Sequence, residues 1–223
     1  MKTSIVSTIV LAVALLAPQI SQAQGTVYLS NLSQTPITNR PVGSDSWLAE
    51  SFATGTNAGG YLLNSVQLAM TNASGNPSGF TLMLYSAILN GELFPGNSLA
   101  TLSGVENPAT NGIYTYLPSS DIALSPGTAY YLVLTAGTTV ADGAYNWNLA
   151  FPNYNQPGGW HASVGVTGPD NYTSLNGVNW IPTGISPQFA ISGMAIPEPD
   201  ILSLFALGSL SFLWQRRKAK ALL

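Results

Sequence analysis

Tight-turn signals recur along this chain at intervals too short for helices. Asn76-Pro77, Asn90-Gly91, Asn111-Gly112, Ser125-Pro126-Gly127, Asp142-Gly143 and Asn176-Gly177 cut its middle into short pieces. Asn-Gly and Asp-Gly tolerate the positive φ angles of two-residue hairpin turns, so such pairs between apolar runs read as β-hairpins. The pieces themselves alternate with a period of two. In residues 145–151, Tyr145, Trp147, Leu149 and Phe151 face one way and Asn146, Asn148 and Ala150 the other, the pattern of a half-buried strand. In residues 62–70, Leu62, Val66, Leu68 and Met70 alternate with Leu63, Ser65, Gln67 and Ala69. Residues 80–88 and 130–136 are apolar on both faces, which places them centrally in a sheet. Residues 188–192 alternate again, with Phe189 and Ile191 inward. No segment between Gln24 and Met194 keeps a helical period over two turns. The expected fold class is all-β: an antiparallel, jelly-roll-like β-sandwich.

Composition narrows the chemistry. The 223 residues suit one domain plus targeting segments. There is no cysteine, so disulfides, thiolate metal sites and a cysteine nucleophile are excluded. Only 7% of residues are charged, against ~25% in typical soluble domains. The few cations sit at the ends: Lys2 near the start, and Arg216, Arg217, Lys218 and Lys220 near the finish. Arg40 is the sole Lys or Arg between Gln24 and Ile196, against seven acids: Asp45, Glu50, Glu92, Glu106, Asp121, Asp142 and Asp170. A surface so poor in cations does not grip phosphate, which excludes nucleic acid as a partner.

Both ends read as addresses. Lys2, the apolar run 5–16 and Pro18 form a secretory signal peptide, with small residues Ser21 and Ala23 at the peptidase positions. Cleavage is expected after Ala23. The other end holds Pro197-Glu198-Pro199, then a largely apolar run, residues 201–214. In it Ile201, Leu204, Phe205, Leu207, Leu210, Phe212, Leu213 and Trp214 cover every side of a helix, which suits lipid rather than a domain surface. Such a helix rises ~21 Å against a hydrocarbon core of ~30 Å. Arg216, Arg217 and Lys218 extend its reach by snorkelling and hold that end on the cytoplasmic side. The expected domains are residues 1–23, signal peptide; 24–196, exported β domain; and 197–223, sorting signal.

Triplet, apolar helix and basic cluster together resemble a PEP-CTERM sorting signal, from which the sequence departs only at Asp200 and in the trailing residues 219–223. The resemblance implies that the triplet is recognised and cut by an exosortase, a transpeptidase-like membrane enzyme. It implies too that the helix retains the precursor in the inner membrane, and that the source is a Gram-negative bacterium making exopolysaccharide. The segments Trp47-Leu48-Ala49-Glu50-Ser51-Phe52-Ala53-Thr54-Gly55, Gly60-Tyr61-Leu62-Leu63-Asn64-Ser65-Val66-Gln67-Leu68 and Leu124-Ser125-Pro126-Gly127-Thr128-Ala129-Tyr130-Tyr131-Leu132-Val133-Leu134 resemble a choice-of-anchor domain, closest to the R type. That likeness spans roughly residues 28–194 and implies a surface domain with no catalytic motif.

Catalysis finds little support in the residues. His161 is the only histidine, and the nearest approach to a nucleophile elbow, Gly96-Asn97-Ser98-Leu99-Ala100, ends on the wrong residue. Ser163, two residues from His161, is at best a same-face neighbour on a strand. No motif nominates a carboxylate pair for glycoside hydrolysis. The expectation is a non-enzymatic protein without a cofactor or bound metal. Structural calcium is the one ion left open, because Asp45, Glu50, Asp142 and Asp170 are oxygen donors, although EF-hand spacing is missing. Residues 152–187 carry the sharpest binding signal. Tyr154, Trp160, Tyr172 and Trp180 stand among many amides, as rings that stack on sugars do, although the same rings also suit a core. The expected function is an exported surface or matrix protein associated with exopolysaccharide; the alternatives are a carbohydrate-binding module and a secreted glycoside hydrolase.

Overall fold

A computed structural model describes residues 25–162, 171–184 and 186–198. Ser21, Ala23, Pro199, Asp170, the apolar run from Ile201 to Trp214 and the cluster Arg216, Arg217 and Lys218 lie outside the described residues. Among the described residues no helix is long and apolar enough to cross a membrane.

The described chain is all-β. Its strands are β1 (Thr26–Ser30), β2 (Thr38–Val42), β3 (Trp47–Ala53), β4 (Tyr61–Gly75), β5 (Thr81–Asn90), β6 (Glu92–Gly104) and β7 (Gly112–Pro118). They continue with β8 (Ala123–Leu124), β9 (Ala129–Thr135), β10 (Gly143–Ala150), β11 (Asn171–Ser174), β12 (Ile181–Thr183), β13 (Ser186–Pro187) and β14 (Phe189–Ala195). The strand pairs are antiparallel, and hydrogen bonding joins them into one network. One path runs β1-β14-β4-β7-β6-β5-β9-β3-β11-β12, while β10 joins β4 and also carries β2 and β13.

β4 organises this network because its 15 residues serve four neighbours. Along one edge it pairs first with β14, from Tyr61 to Leu68, and then with β10, from Met70 to Gly75. Along the other it pairs with β8 at Tyr61 and Leu62 and with β7 from Val66 to Met70. The expected alternation fails near its start. Leu63 and Val66 are both buried, while Leu62 is only half-buried. A β-bulge is the reason: Ser65 pairs with Ser192 and Leu63 with Gly193, so Asn64 is the extra residue that shifts side-chain parity. Turn chemistry holds at Asn90-Gly91 but not at Asn111-Gly112, whose glycine opens β7 without a positive φ. Gly91, between Asn90 and Glu92, has φ +78°, a conformation open to glycine.

Two apolar layers result. The main core collects Phe52, Leu82, Leu84, Leu132 and Leu134 from β3, β5 and β9, together with Val66, Leu68, Met70, Trp147, Phe189 and Ile191 from β4, β10 and β14. A second cluster lies on the opposite face of β3 and β9, where Ala49, Tyr131, Val133 and Tyr172 pack with half-buried Trp47, Phe94 and Trp180. With both faces covered, β9 is buried from Tyr130 to Thr135, as expected of a central strand. β10 is more enclosed than its alternation suggests. Asn148 and Ala150 are buried as well as Tyr145, Trp147 and Leu149, because β2, β4 and β13 flank it. Phe151 lies beyond the end of β10 and is exposed.

Two of the four candidate sugar-stacking rings are core residues instead. Trp160 is fully buried, stacked between Tyr28 at 5.0 Å and Phe52 at 5.9 Å, with Tyr61 edge-on at 5.0 Å. Tyr172 is 1% exposed and packs on Phe94 and Tyr131. Neither ring has a free face. The reason is area: an aromatic ring buries ~150–250 Å², and these two rings pack into the apolar clusters instead of facing solvent.

Two measurements check this core. Trp160→Ala is expected to lower unfolding free energy by ~3–5 kcal/mol in urea titration, the cost of emptying a buried tryptophan site. An exposed sugar platform would lose less than ~0.5 kcal/mol. Stability is also expected to fall at alkaline pH. Burial pushes the Tyr116 phenol well above the usual tyrosine range, reinforced by neighbouring Tyr114 and Tyr145, and burial raises Tyr145 as well. The unfolded chain loses these protons near pH ~10 while the folded chain keeps them. Their contribution is therefore complete below pH ~10 and declines above it. Thermal midpoints measured from pH 8 to 11.5 test the sign.

Candidate functional site

Residues 152–162 form a strap across one end of the sheet. Its first anchor is Asn155: the Asn155 N–H donates to the Ser30 carbonyl at 2.7 Å and the Ser30 N–H to the Asn155 carbonyl at 2.9 Å. Its second is His161, whose N–H donates to the Ala53 carbonyl at 3.0 Å while its carbonyl accepts from the Ala53 N–H at 2.8 Å. Between the anchors the chain makes a short 3-10 turn, Pro157–Gly159, and then drops Trp160 into the core. Tyr154 adds a third attachment, its ring 5.8 Å from that of Phe189. The strap is thus held by backbone pairing at two points and by two aromatic plugs.

Beneath it lies a cavity of about 230 Å³. Glu50 forms its floor. β3 places this carboxylate opposite Leu132 of β9 on one side and Asn171 of β11 on the other, and it is fully buried. A carboxylate in such a place is tolerated only when hydrogen-bonded. The Tyr154 hydroxyl donates to Glu50 Oε1 at 3.1 Å. Gln156, exposed His161, Ser186, Pro152 and Ala162 complete the described walls. The lining therefore offers one acid, one imidazole, one amide and two hydroxyls around a small opening, with an apolar strip from Pro152 and Ala162.

The lining can exchange hydrogen bonds with hydroxyl groups. A glycosidase needs two carboxyl groups ~5–9.5 Å apart, and Glu50 is the only acid among the described lining residues. Ser98 lies on β6 opposite Tyr85 and does not line the cavity that His161 borders. Among the described residues no three His, Asp or Glu side chains gather to hold a metal ion. Asp45 instead accepts from the Val140 N–H at 2.8 Å, and Asp142 from the Thr139 hydroxyl at 2.7 Å. Both brace a loop.

Of the sequence-nominated rings, Tyr154 alone reaches this cavity. Trp180 is half-buried against the second apolar cluster and is not part of the lining. Glu50 and Ser186 were not nominated as contacts. The one available signal for Glu50 was an acid lodged in the run Trp47–Ala53, whose neighbours Ala49, Ser51 and Phe52 are buried.

The second feature is the junction with the sorting signal. Ile196 follows β14 directly and pairs with the turn before β4: its N–H donates to the Gly60 carbonyl at 3.0 Å, and the Asn57 amide donates to its carbonyl at 2.9 Å. The Glu198 carboxylate accepts from the Ala58 N–H at 3.2 Å. Pro197 and Glu198 therefore rest against the folded domain.

None of the curated proteins matches the chain. The PEP-CTERM protein-sorting motif matches residues 195–218, covering the triplet, the apolar run and the basic cluster. That match identifies an exported protein whose processing partner is an exosortase, with an inner-membrane precursor stage and a cell-surface destination after processing.

Proposed function

We propose that the protein is a non-catalytic component of the cell surface or extracellular matrix that associates with exopolysaccharide, and that the Glu50 cavity is where it meets the polymer. The observation that carries this reading is the cavity itself: a buried carboxylate, a phenol, an amide and an imidazole converge on about 230 Å³. Carboxylates and amides exchange hydrogen bonds with vicinal hydroxyls, and the Tyr154 and Pro152 surfaces suit the apolar face of a sugar ring. The volume lies below the ~300–1,000 Å³ of sites for drug-sized ligands, which favours one terminal sugar over a threaded chain. Uncharged polymer fits a domain whose only cation is Arg40, half-buried on β2. Among the described residues the lining holds one acid, which supports a binding role over hydrolysis.

The same reading includes the parts that frame the domain: a signal peptide ending at Ala23, a retention helix over 201–214, and an exported domain that needs no cofactor. We further infer that the sheet folds over itself as a β-sandwich of the choice-of-anchor kind. Its support is that β3, β5 and β9 share one core with β4, β10 and β14.

The full chain in detergent micelles, passed over immobilised neutral polysaccharides and over the producing cell's own exopolysaccharide, is expected to be retained by at least one. Glu50→Gln is expected to weaken retention roughly 10- to 100-fold, the worth of a hydrogen bond to a charged group, ~1.5–3 kcal/mol. Tyr154→Phe is expected to weaken it less. Lack of retention on every polysaccharide, or retention indifferent to Glu50→Gln, overturns the reading.

A further inference from the structure

The sorting triplet begins against the folded domain, where Ile196 and Glu198 are hydrogen-bonded to it. β14 ends at Ala195, so a single residue, Ile196, separates the last strand from Pro197. The 57–60 turn receives this segment with three hydrogen bonds: Ile196 N–H to the Gly60 carbonyl, Asn57 amide to the Ile196 carbonyl, and Ala58 N–H to Glu198 Oε1. The turn is built for the contact. The Asn57 amide also donates to the Gly60 carbonyl at 2.7 Å, and the Asn57 N–H donates to the Tyr61 hydroxyl at 3.2 Å, which fixes the loop shape. Gly60 sits at φ +76°, where side chains are strained. At Gly59 a Cβ would press into the Ile196 carbonyl oxygen and approach that of Pro197. Gly59 lets the tail approach the turn, and Gly60 supplies the turn's positive φ.

We propose that the 57–60 turn is a docking site for the sorting triplet, and that the folded domain withholds Glu198 from the exosortase until the tail lifts off. The argument is one of competition. The Glu198 carboxylate is the only charged group in the triplet, so it is the natural handle for a recognising enzyme. In the docked arrangement Pro197 and Glu198 are exposed, but the Ala58 N–H holds one carboxylate oxygen and the Ile196 carbonyl just before the triplet lies against Gly59, so the segment is tied to the domain where an enzyme would grip it. An enzyme that grips the triplet must take the undocked form, and its apparent affinity falls by the undocked fraction. Asn57, Ala58 and Gly59 thereby act as positioning residues for a reaction in which they take no chemical part.

The test uses the full-length precursor in cells that also make its exosortase. Gly59→Ala is expected to displace the tail and raise the initial rate of conversion to the shorter product about fivefold, toward the limit set by the docked fraction. The unfolding midpoint of the domain should stay within a few degrees of the parent. Conversion at the parental rate, or slower, overturns the proposal. A second measurement stands without that variant. In the ¹⁵N-labelled full chain in detergent micelles, the Ala58 amide is expected to exchange with solvent at least about tenfold more slowly than in Glu198→Ala, the equivalent of ~1.4 kcal/mol. Equal exchange in the two chains overturns the proposal even if Gly59→Ala fails to fold.

Discussion

Every backbone N–H and C=O that a sheet buries must find a partner, and in this molecule the strand that answers that demand for the rest is β4. Val66 has Ile191 opposite it on one edge and Tyr116 on the other, and Met70 has Trp147 and Gly112. Neighbours change along its length without leaving a gap. The N–H of Ala69, at the handover from β14 to β10, donates to the carbonyl of Gln188. Gln188 is itself a junction. Its carbonyl also accepts from the Trp147 indole at 2.9 Å, and its side-chain amide donates to the carbonyls of Gln34, at 2.7 Å, and Asn31. Asn31 closes the set by donating to the Pro187 carbonyl and accepting from the Phe189 N–H. Two neutral amides thus satisfy buried backbone where β1 meets β14. Neutral groups can be enclosed there at far lower cost than ions, which is consistent with a chain that carries so few charges.

Strand content was legible where side-chain pattern and burial coincide. Residues 130–136 read as a central strand because both faces were apolar, and β9 is indeed flanked by β3 and β5. The parity of 62–70 was misread because a bulge leaves no mark beyond an unremarkable Leu-Leu-Asn-Ser run. Its cause, the pairing of Ser65 and Leu63 with Ser192 and Gly193, lies over a hundred residues away. The aromatic cluster of 152–187 divided along lines that sequence does not encode. Trp160 and Tyr172 differ from Tyr154 in which neighbours tertiary folding brings to them, not in their local pattern. The cavity was illegible for the same reason, since Glu50, Gln156 and Ser186 come from three distant stretches.

The PEP-CTERM protein-sorting motif, which matches residues 195–218, was legible as a linear pattern of triplet, apolar run and basic cluster. Its relation to the domain was not. Nothing in Asn57-Ala58-Gly59-Gly60 distinguishes this turn from the other glycine-rich turns of the sequence. Only the fold brings it beside Ile196. The short connection between β14 and the triplet means that the exported body and its address share a boundary rather than a linker.

β14 is also the element through which any pull on that end must pass. It is hydrogen-bonded to β1 along one edge, from Thr26 to Ser30, and to β4 along the other, from Tyr61 to Leu68. Inter-strand bonds in antiparallel sheets run perpendicular to the strands. Tension along β14 therefore loads both ladders in shear, with many bonds resisting at once instead of parting singly. A domain tethered or tugged by its C-terminal end in flowing water or a stiffening matrix would, on this geometry, be gripped by a strand paired along both edges.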